Sequence, residues 1–132
     1  MIKGIGHIGI LVSDIEQCLE SLAKIINFPE PMIRESEEAK KKVAVVDLGN
    51  VSLELIQDMA NEGSLARVVK SRGNTIHHFC LLSDNIEEDL ERTKKAGVEW
   101  ADQKPRIGLR GKKCALSAPS ALNGIPIELS EP

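Results

Sequence analysis

The sequence predicts a single α+β domain over residues 1–132, built from two paired βαβββ modules that form a curved mixed sheet around a central cleft. Three observations predict this architecture: an internal repeat, period-two alternation in the apolar segments, and helix-capping spacings after the first segment of each module. We place module 1 at about residues 1–60 and module 2 at about residues 74–132, joined through residues 60–74.

The internal repeat is visible at an offset of 71 residues. Residues 5–24 and 76–95 share eight identical positions of twenty, among them His7 with His78, which exceeds what unrelated segments of this composition give. A second pair, Val51-Ser-Leu-Glu-Leu55 and Ile125-Pro-Ile-Glu-Leu129, recurs at an offset of 74. Each module therefore opens with an apolar segment that carries a His and closes with one that carries a Glu.

In module 1, alternation predicts a strand over Gly6–Val12, and Ser13-x-x-Glu16 has the spacing of a helix capping box. Apolar residues then follow at helical spacing, and two segments joined at Gly49-Asn50 have the pattern of a β-hairpin. The helix residues are Ile15, Cys18, Leu19, Leu22, Ile25 and Ile26, and the hairpin strands are Lys42–Leu48 and Asn50–Gln57.

Module 2 repeats this plan. The predicted strand is Ile76–Ser83, the capping box begins at Asp84, and Gly97 ends the helix. Lys112–Ser117 and Ile125–Ser130 correspond to the hairpin of module 1, and residues 118–124 form a loop between them.

The composition argues against several classes of protein. A net charge of −3 argues against a protein that coats nucleic acid, and 2% aromatic residues argue against base-stacking surfaces. No apolar run has the length of a bilayer span, and the N-terminus lacks a secretion pattern. Cys18, Cys80 and Cys114 are odd in number and widely spaced, which indicates reduced thiols without a catalytic role in a cytoplasmic protein.

Four polar residues, two imidazoles and two carboxylates, point away from the more apolar faces of their strands and could converge in the cleft. Such a set suits one divalent ion, Co²⁺, Ni²⁺, Zn²⁺, Mn²⁺ or Fe²⁺, better than Ca²⁺ and makes the cleft a metal-binding cleft. The alternative is that each His is a satisfied strand residue and each Glu a solvated one. The predicted ligands are His7, Glu54, His78 and Glu128. His77 shares a face with Phe79 and Leu81, so we interpret it as a helix-packed or edge histidine, provided that the strand register holds.

At these residues the chain resembles the vicinal oxygen chelate superfamily, which includes the glyoxalases, bleomycin resistance proteins and dioxygenases. The resemblance rests on the segments around the four residues and is closest to methylmalonyl-CoA epimerase, then to lactoylglutathione lyase (glyoxalase I). The His77-His78 pair and the stretch Pro105–Lys112 are the epimerase-like features, whereas Ala118-Pro-Ser120 departs from the epimerase pattern. The resemblance implies a metal held by these four residues and often a homodimer.

The implied function is a metal-dependent epimerase or isomerase that removes an α-proton to form a metal-stabilised enediolate. Glu128 and Glu54 are the expected acid and base, with a role as ligands only as the alternative. The expected substrate is an acyl-CoA thioester, and the alternatives are a glutathione hemithioacetal or a non-catalytic small-molecule-binding protein. Three basic groups could bind substrate anions or be simply solvated. They are Lys40–Lys42, the set Arg67, Lys70 and Arg72, and the set Arg110, Lys112 and Lys113.

Overall fold

A computed structural model describes residues 1–132 and contains eight β-strands, three α-helices and one 3₁₀ helix in a mixed α+β fold. The order of elements confirms βαβββ in both modules, and a further helix connects them. The elements are β1 (Ile2–Leu11), α1 (Ile15–Ala23), β2 (Met32–Ser36), β3 (Lys41–Asp47), β4 (Ser52–Asp58), α2 (Ser64–Arg72), β5 (Thr75–Ser83), α3 (Ile86–Lys95), β6 (Arg106–Ile107), β7 (Lys113–Leu116), the 3₁₀ helix (Pro119–Leu122) and β8 (Ile127–Ser130).

The chain divides into two compact units whose boundaries fall inside β1 and β5. Unit 1 comprises Met1–Ile8 and His77–Pro132, and unit 2 comprises Gly9–Ile76. The strand order in unit 1 is β1-β5-β8-β7-β6, and in unit 2 it is β1-β4-β3-β2. β5 and β8 pair in parallel while β7 and β8 pair antiparallel, so the predicted mixed sheet is confirmed.

In unit 2, the two faces of the sheet bury different clusters. β3 and β4 form the predicted hairpin, with Asp47 opposite Ser52 at its turn. One face packs against α1, and the opposite face meets apolar residues of α2. The cluster under α1 contains Val12, Ile15, Ala44 and Leu55, and the cluster facing α2 contains Leu11, Val43 and Ile56 with Leu65, Val68 and Val69 packed against them.

In unit 1, α3 covers one face of the sheet. Ile86 and Leu90 of this helix pack with Trp100 and with Ala115 and Leu129, which are direct partners on β7 and β8. The indole Nε1–H of Trp100 donates to Thr93 Oγ1 at 3.0 Å, which satisfies the polar edge of this buried ring. Since Leu129 faces α3, its neighbours Glu128 and Ser130 lie on the opposite face.

Both predicted helix caps are wrong by one residue. Asp14, rather than Ser13, accepts a hydrogen bond from the amide of Gln17, and Asn85, rather than Asp84, accepts one from the amide of Glu88. Each segment has two adjacent residues that can cap a helix, and in both segments the helix begins after the second of them. The backbone amide of Ser13 donates instead to Asn74 Oδ1 at 2.9 Å.

The ends of the helices also differ in part from the prediction. α1 ends at Ala23, so Ile25 lies beyond the helix and is 77% exposed instead of joining its apolar face. α3 ends at Lys95, and Gly97 follows with a φ of +97°, as expected for a glycine helix stop. None of the helices is long and apolar enough to cross a lipid bilayer.

Candidate metal centre

The polar face of unit 1 is set by strand register. Cys80 of β5 pairs with Glu128 of β8, and paired residues project to the same side of a sheet. His78 lies two residues before Cys80 and therefore shares that side. The register thus assigns His78, and not His77, to the face of Glu128, as the alternation in the sequence predicts.

Three of the four predicted ligands meet on this face. His7 and His78 approach with their Nε2 atoms 3.1 Å apart. Glu128 lies beside both, with Oε1 3.5 Å from His7 Nε2 and Oε2 3.6 Å from His78 Nε2. The three side chains are buried, with His7 fully inaccessible. Two imidazole nitrogens and one carboxylate therefore converge on a single point inside unit 1.

The spacing of these atoms fits a first-row divalent ion. Metal–ligand bonds of about 2.0 to 2.1 Å separate neighbouring ligand atoms by about 2.8 to 3.4 Å in octahedral or tetrahedral geometry. The observed distances of 3.1, 3.5 and 3.6 Å are close to that range. Imidazole and carboxylate are also the donors that Zn²⁺, Co²⁺, Ni²⁺ and Mn²⁺ accept. The residues of this face therefore fit such an ion.

The protonation states of the two imidazoles favour metal binding. Burial lowers the pKa of His7 to about 3, with smaller effects of Arg110 and His78. Burial likewise lowers the pKa of His78 to about 4, aided by His77 and Arg110. Both rings are therefore neutral at pH 7, as metal ligation requires. Burial raises the pKa of Glu128, and Arg110 opposes this shift.

Arg110 is a component of the site that the sequence did not reveal. Its Nη2 lies 3.7 Å from Glu128 Oε1 and 3.4 Å from Ser130 Oγ, to which it donates. A tight turn between β6 and β7 carries it, in which Gly111 has a φ of +78° and its amide donates to the carbonyl of Gly108. A guanidinium beside a buried carboxylate stabilises the ionised form of that carboxylate.

Cys80 also lies at this site, although the sequence gave it no role. His7, Cys80 and Glu128 each offer a ligand atom within 4.8 Å of the others. Its hydrogen bond to Glu128 lowers the pKa of that carboxyl. The period-two alternation of a strand could have predicted this position, because Cys80 and His78 are two residues apart on β5 and share a face. Cys114, on the same face, is buried and its pKa is raised to about 11, so its thiol stays protonated.

His77 contacts a predicted ligand directly. Its Nδ1 lies 2.8 Å from Nδ1 of His78, and the two rings meet edge to face. It is half-buried on β5. Its place is therefore beside the site.

Glu54, the remaining predicted ligand, is on β4 in unit 2. It is buried, with 8% of its surface exposed, and its register partner is Val45 of β3. Its neighbour Leu55 packs under α1, so Glu54 projects from the other face of that strand. This is the placement that alternation in the sequence predicts.

Most of the other residues in the three predicted basic groups contact carbonyl or carboxylate oxygens outside this site. Arg67 and Lys70 of α2 donate to the carbonyls of Glu62 and Asn61 at the start of the helix. Lys42 pairs with Glu16 at 2.7 Å, and Lys41 lies 3.3 Å from Asp58. Lys113 pairs with Glu87 at 2.9 Å. These contacts stabilise surface loops and helix ends.

Comparison with known proteins identifies relatives over nearly the whole chain. An uncharacterised Bacillus subtilis protein, YqjC, is 31% identical over 126 residues, covering 96% of this chain and 90% of that protein. The human mitochondrial methylmalonyl-CoA epimerase is 25% identical over 128 residues, covering 96% of this chain and 73% of the epimerase. Methylmalonyl-CoA epimerase from Mycobacterium tuberculosis has the same fold, with a TM-score of 0.90 at 19% identity over 99% of this chain and 89% of that chain.

The sequence also matches a protein-family model over residues 6–115, a range that includes His7, Glu54 and His78. This match covers most of both modules and confirms the resemblance seen in the motifs. The chain belongs to the glyoxalase/bleomycin resistance protein/dioxygenase superfamily.

Proposed function

We propose that this protein is a metal-dependent epimerase of an acyl-CoA thioester, most similar in its reaction to methylmalonyl-CoA epimerase. The observation that carries the proposal is the convergence of His7, His78 and Glu128 within 3.1–3.6 Å on one buried face. The similarity to the human epimerase over 96% of this chain supports the thioester substrate.

His7, His78 and Glu128 are the ligands of this proposal in unit 1, and Glu54 is the fourth. The support for Glu54 is the internal repeat, because it occupies in module 1 the position that Glu128 occupies in module 2. A divalent ion at these residues would supply a Lewis acid for the charge that develops on the thioester oxygen.

Glu128 is the proposed base that takes the α-proton of the substrate, and Glu54 is the proposed acid that returns a proton to the opposite face, with either carboxylate leaving the ion when the substrate binds. Burial raises the pKa of Glu128, which makes this carboxylate a stronger proton acceptor than an exposed one. The charge of Arg110 opposes that shift. Proton removal and return at one carbon interconvert the two epimers.

The test is solvent-deuterium incorporation at the α-carbon of methylmalonyl-CoA, followed by NMR after loading the protein with Co²⁺ or Ni²⁺. We expect exchange with the wild-type chain and a loss of about 10²- to 10⁴-fold in Glu128→Gln at a Co²⁺ concentration that saturates this variant, because the substitution removes the proton acceptor as well as a proposed ligand. Glu91→Gln is the matched control, because Glu91 is an exposed glutamate of α3 paired with Lys94. It should retain wild-type exchange.

Two results would overturn the proposal. Turnover of a glutathione hemithioacetal without exchange in the thioester would favour a glyoxalase I-type reaction. Absence of bound metal and of both reactions would favour a small-molecule-binding protein. Glu54→Gln tests the fourth ligand separately, since we expect it to weaken metal binding while the protein stays folded.

A further inference from the structure

We propose that His77 is a positioning residue that holds His78 in the tautomer suited to metal binding. In this tautomer the proton of His78 is on Nδ1, and the lone pair of Nε2 faces His7 and Glu128. The inference rests on the proposed metal centre and adds a supporting residue to it.

The placement of His77 is unusual for its strand. Neighbouring residues of a strand project to opposite faces, so His77 has the parity of Leu81, which packs against the cluster under α3. Nevertheless the His77 and His78 rings meet with their centroids 5.0 Å apart and their planes at 89°. The contact joins Nδ1 of His77 to Nδ1 of His78 at 2.8 Å, a strong hydrogen-bond distance.

The chemistry of this contact allows two arrangements. Each neutral imidazole carries one proton, so one Nδ1 must donate and the other must accept. When His78 donates, its Nε2 carries no proton and can bind a metal. When His77 donates, the proton of His78 moves to Nε2 and points at His7 Nε2, 3.1 Å away, where it blocks ligation.

The environment favours the first arrangement. His78 Nε2 lies 3.1 Å from His7 Nε2, so His7 can donate to it before an ion enters, whereas Glu128 Oε2 at 3.6 Å is beyond hydrogen-bond distance and does not hold a proton on this nitrogen. His77 is half-buried and can keep its own proton on Nε2, away from the contact. Partners of this kind set the orientation and basicity of metal-binding histidines, and their loss typically weakens metal affinity about 10- to 100-fold.

The experiment compares two substitutions in the full chain. His77→Leu removes the acceptor, whereas His77→Asn keeps an acceptor oxygen near the position of Nδ1. The dissociation constant for Co²⁺ is measured by competition with a chelator, and the tautomers are determined in the metal-free protein by ¹⁵N NMR of the histidine rings. Ile76→Ala is the control on the same strand, because Ile76 is 60% exposed.

We expect wild-type His78 to carry its proton on Nδ1, His77→Leu to bind Co²⁺ about 10- to 100-fold more weakly, and His77→Asn and Ile76→Ala to stay within a few-fold of wild type. A wild-type His78 protonated on Nε2, or unchanged affinity in a folded His77→Leu, overturns the inference. If the wild type binds no metal, the proposed function fails, while the NMR measurement still decides the tautomer. If His77→Leu does not fold, the wild-type tautomer and His77→Asn decide it.

Discussion

At the scale of single residues, Arg110 shows how one loop side chain modifies a site built by strands. The sequence grouped it with Lys112 and Lys113 as a basic group that could bind substrate anions or be simply solvated, yet its guanidinium lies 3.7 Å from a carboxylate oxygen of Glu128. Burial raises the pKa of Glu128 and lowers those of His7 and His78; the charge of Arg110 opposes the first shift and adds to the other two. All three effects reduce competition between protons and a metal ion.

Replacing Arg110 should therefore raise the pKa of the three residues beside it. In Arg110→Gln the pKa values of Glu128, His7 and His78 all rise, because the guanidinium no longer favours their less protonated forms. We expect the titration midpoint of Glu128 to increase by about 1 unit or more, the usual effect of a charge at this distance. The measurement is a pH titration of the metal-free protein followed by ¹³C NMR of the glutamate carboxyl groups. Lys112→Gln removes an exposed cation from the same loop and should leave the midpoint in place; equal shifts in both variants would contradict the local effect.

The difference between the residues predicted for the site and those that the structure brings together has a simple physical origin. His78 and Glu128 were recognisable because strands alternate with a period of two and because the chain repeats itself. The position of Arg110 depends on the turn at Gly111, and no periodicity describes such a turn. The position of Cys80 could be predicted from strand alternation, but nothing in the sequence distinguished its thiol from an ordinary buried cysteine.

At the scale of elements, helices and strands with a long buried face were predicted better than elements that depend on a single capping contact. The hairpin of β3 and β4 follows from its alternating apolar residues, and the helix α3 follows from the internal repeat with α1. α2 was not predicted, because it lacks a buried residue and a side-chain cap. Its first turn depends instead on Asp58, which accepts from the amide of Ala66 at 3.1 Å. That contact joins residues from different elements, so no periodic pattern in the sequence indicates it.

The packing of α3 gives a stability prediction. Leu90 is 1% exposed and lies in the cluster with Trp100 and Leu129. Leu90→Ala should lower the free energy of unfolding by about 2 to 5 kcal/mol, because it removes buried methyl groups and leaves a cavity. Leu122→Ala makes the same change at a residue that is 49% exposed and should cost less than about 1 kcal/mol. Urea denaturation measures both, and similar values for the two would show that α3 does not cover this core.

The start of α3 gives a pH-dependent prediction. The Ser83 hydroxyl donates to Asp89 Oδ2 at 2.6 Å, and this bond is the main cause of the lowered pKa of Asp89, with the ammonium of Met1 and then Arg92 adding to it. A carboxylate with a lowered pKa stabilises the fold above the unfolded value of about 4 and loses this effect as the pH falls through the folded value.

Asp89→Asn should therefore destabilise the protein by about 1.5 to 3 kcal/mol at pH 7, since it replaces hydrogen bonds to a charged group. The difference from wild type should shrink as the pH falls below about 4, because Asp89 of the unfolded chain takes up its proton there, whereas folded Asp89 does so only at its lowered pKa. Denaturant unfolding at several pH values gives this difference, with Glu91→Gln as the exposed control. A difference that stays constant down to pH 2.5 would assign the effect to packing alone.

At the scale of the whole molecule, the two modules use one strand plan for two purposes. In each module the last strand pairs with the first, β4 with β1 and β8 with β5. The last strand places apolar residues under a helix and its Glu on the opposite face of the sheet. The helical faces supply the hydrophobic stability. The opposite face in unit 1 is occupied by buried polar groups, His7, His78 and Glu128, which contribute little to a hydrophobic core. Stability at this face should therefore depend on the metal.

Binding of a metal to the native state alone should stabilise the whole chain. At a free Co²⁺ concentration of 100 times the dissociation constant, the gain is about 2.7 kcal/mol, which corresponds to a rise in Tm of roughly 10 °C for a chain of this size. Thermal unfolding with Co²⁺, with Mg²⁺ and with excess chelator measures it. We expect the rise with Co²⁺, reversal by the chelator, and little effect of Mg²⁺, which prefers oxygen ligands. His78→Ala should fold but lose the rise, because it lacks one of the converging nitrogens. An undiminished rise in His78→Ala would place the metal elsewhere on the chain.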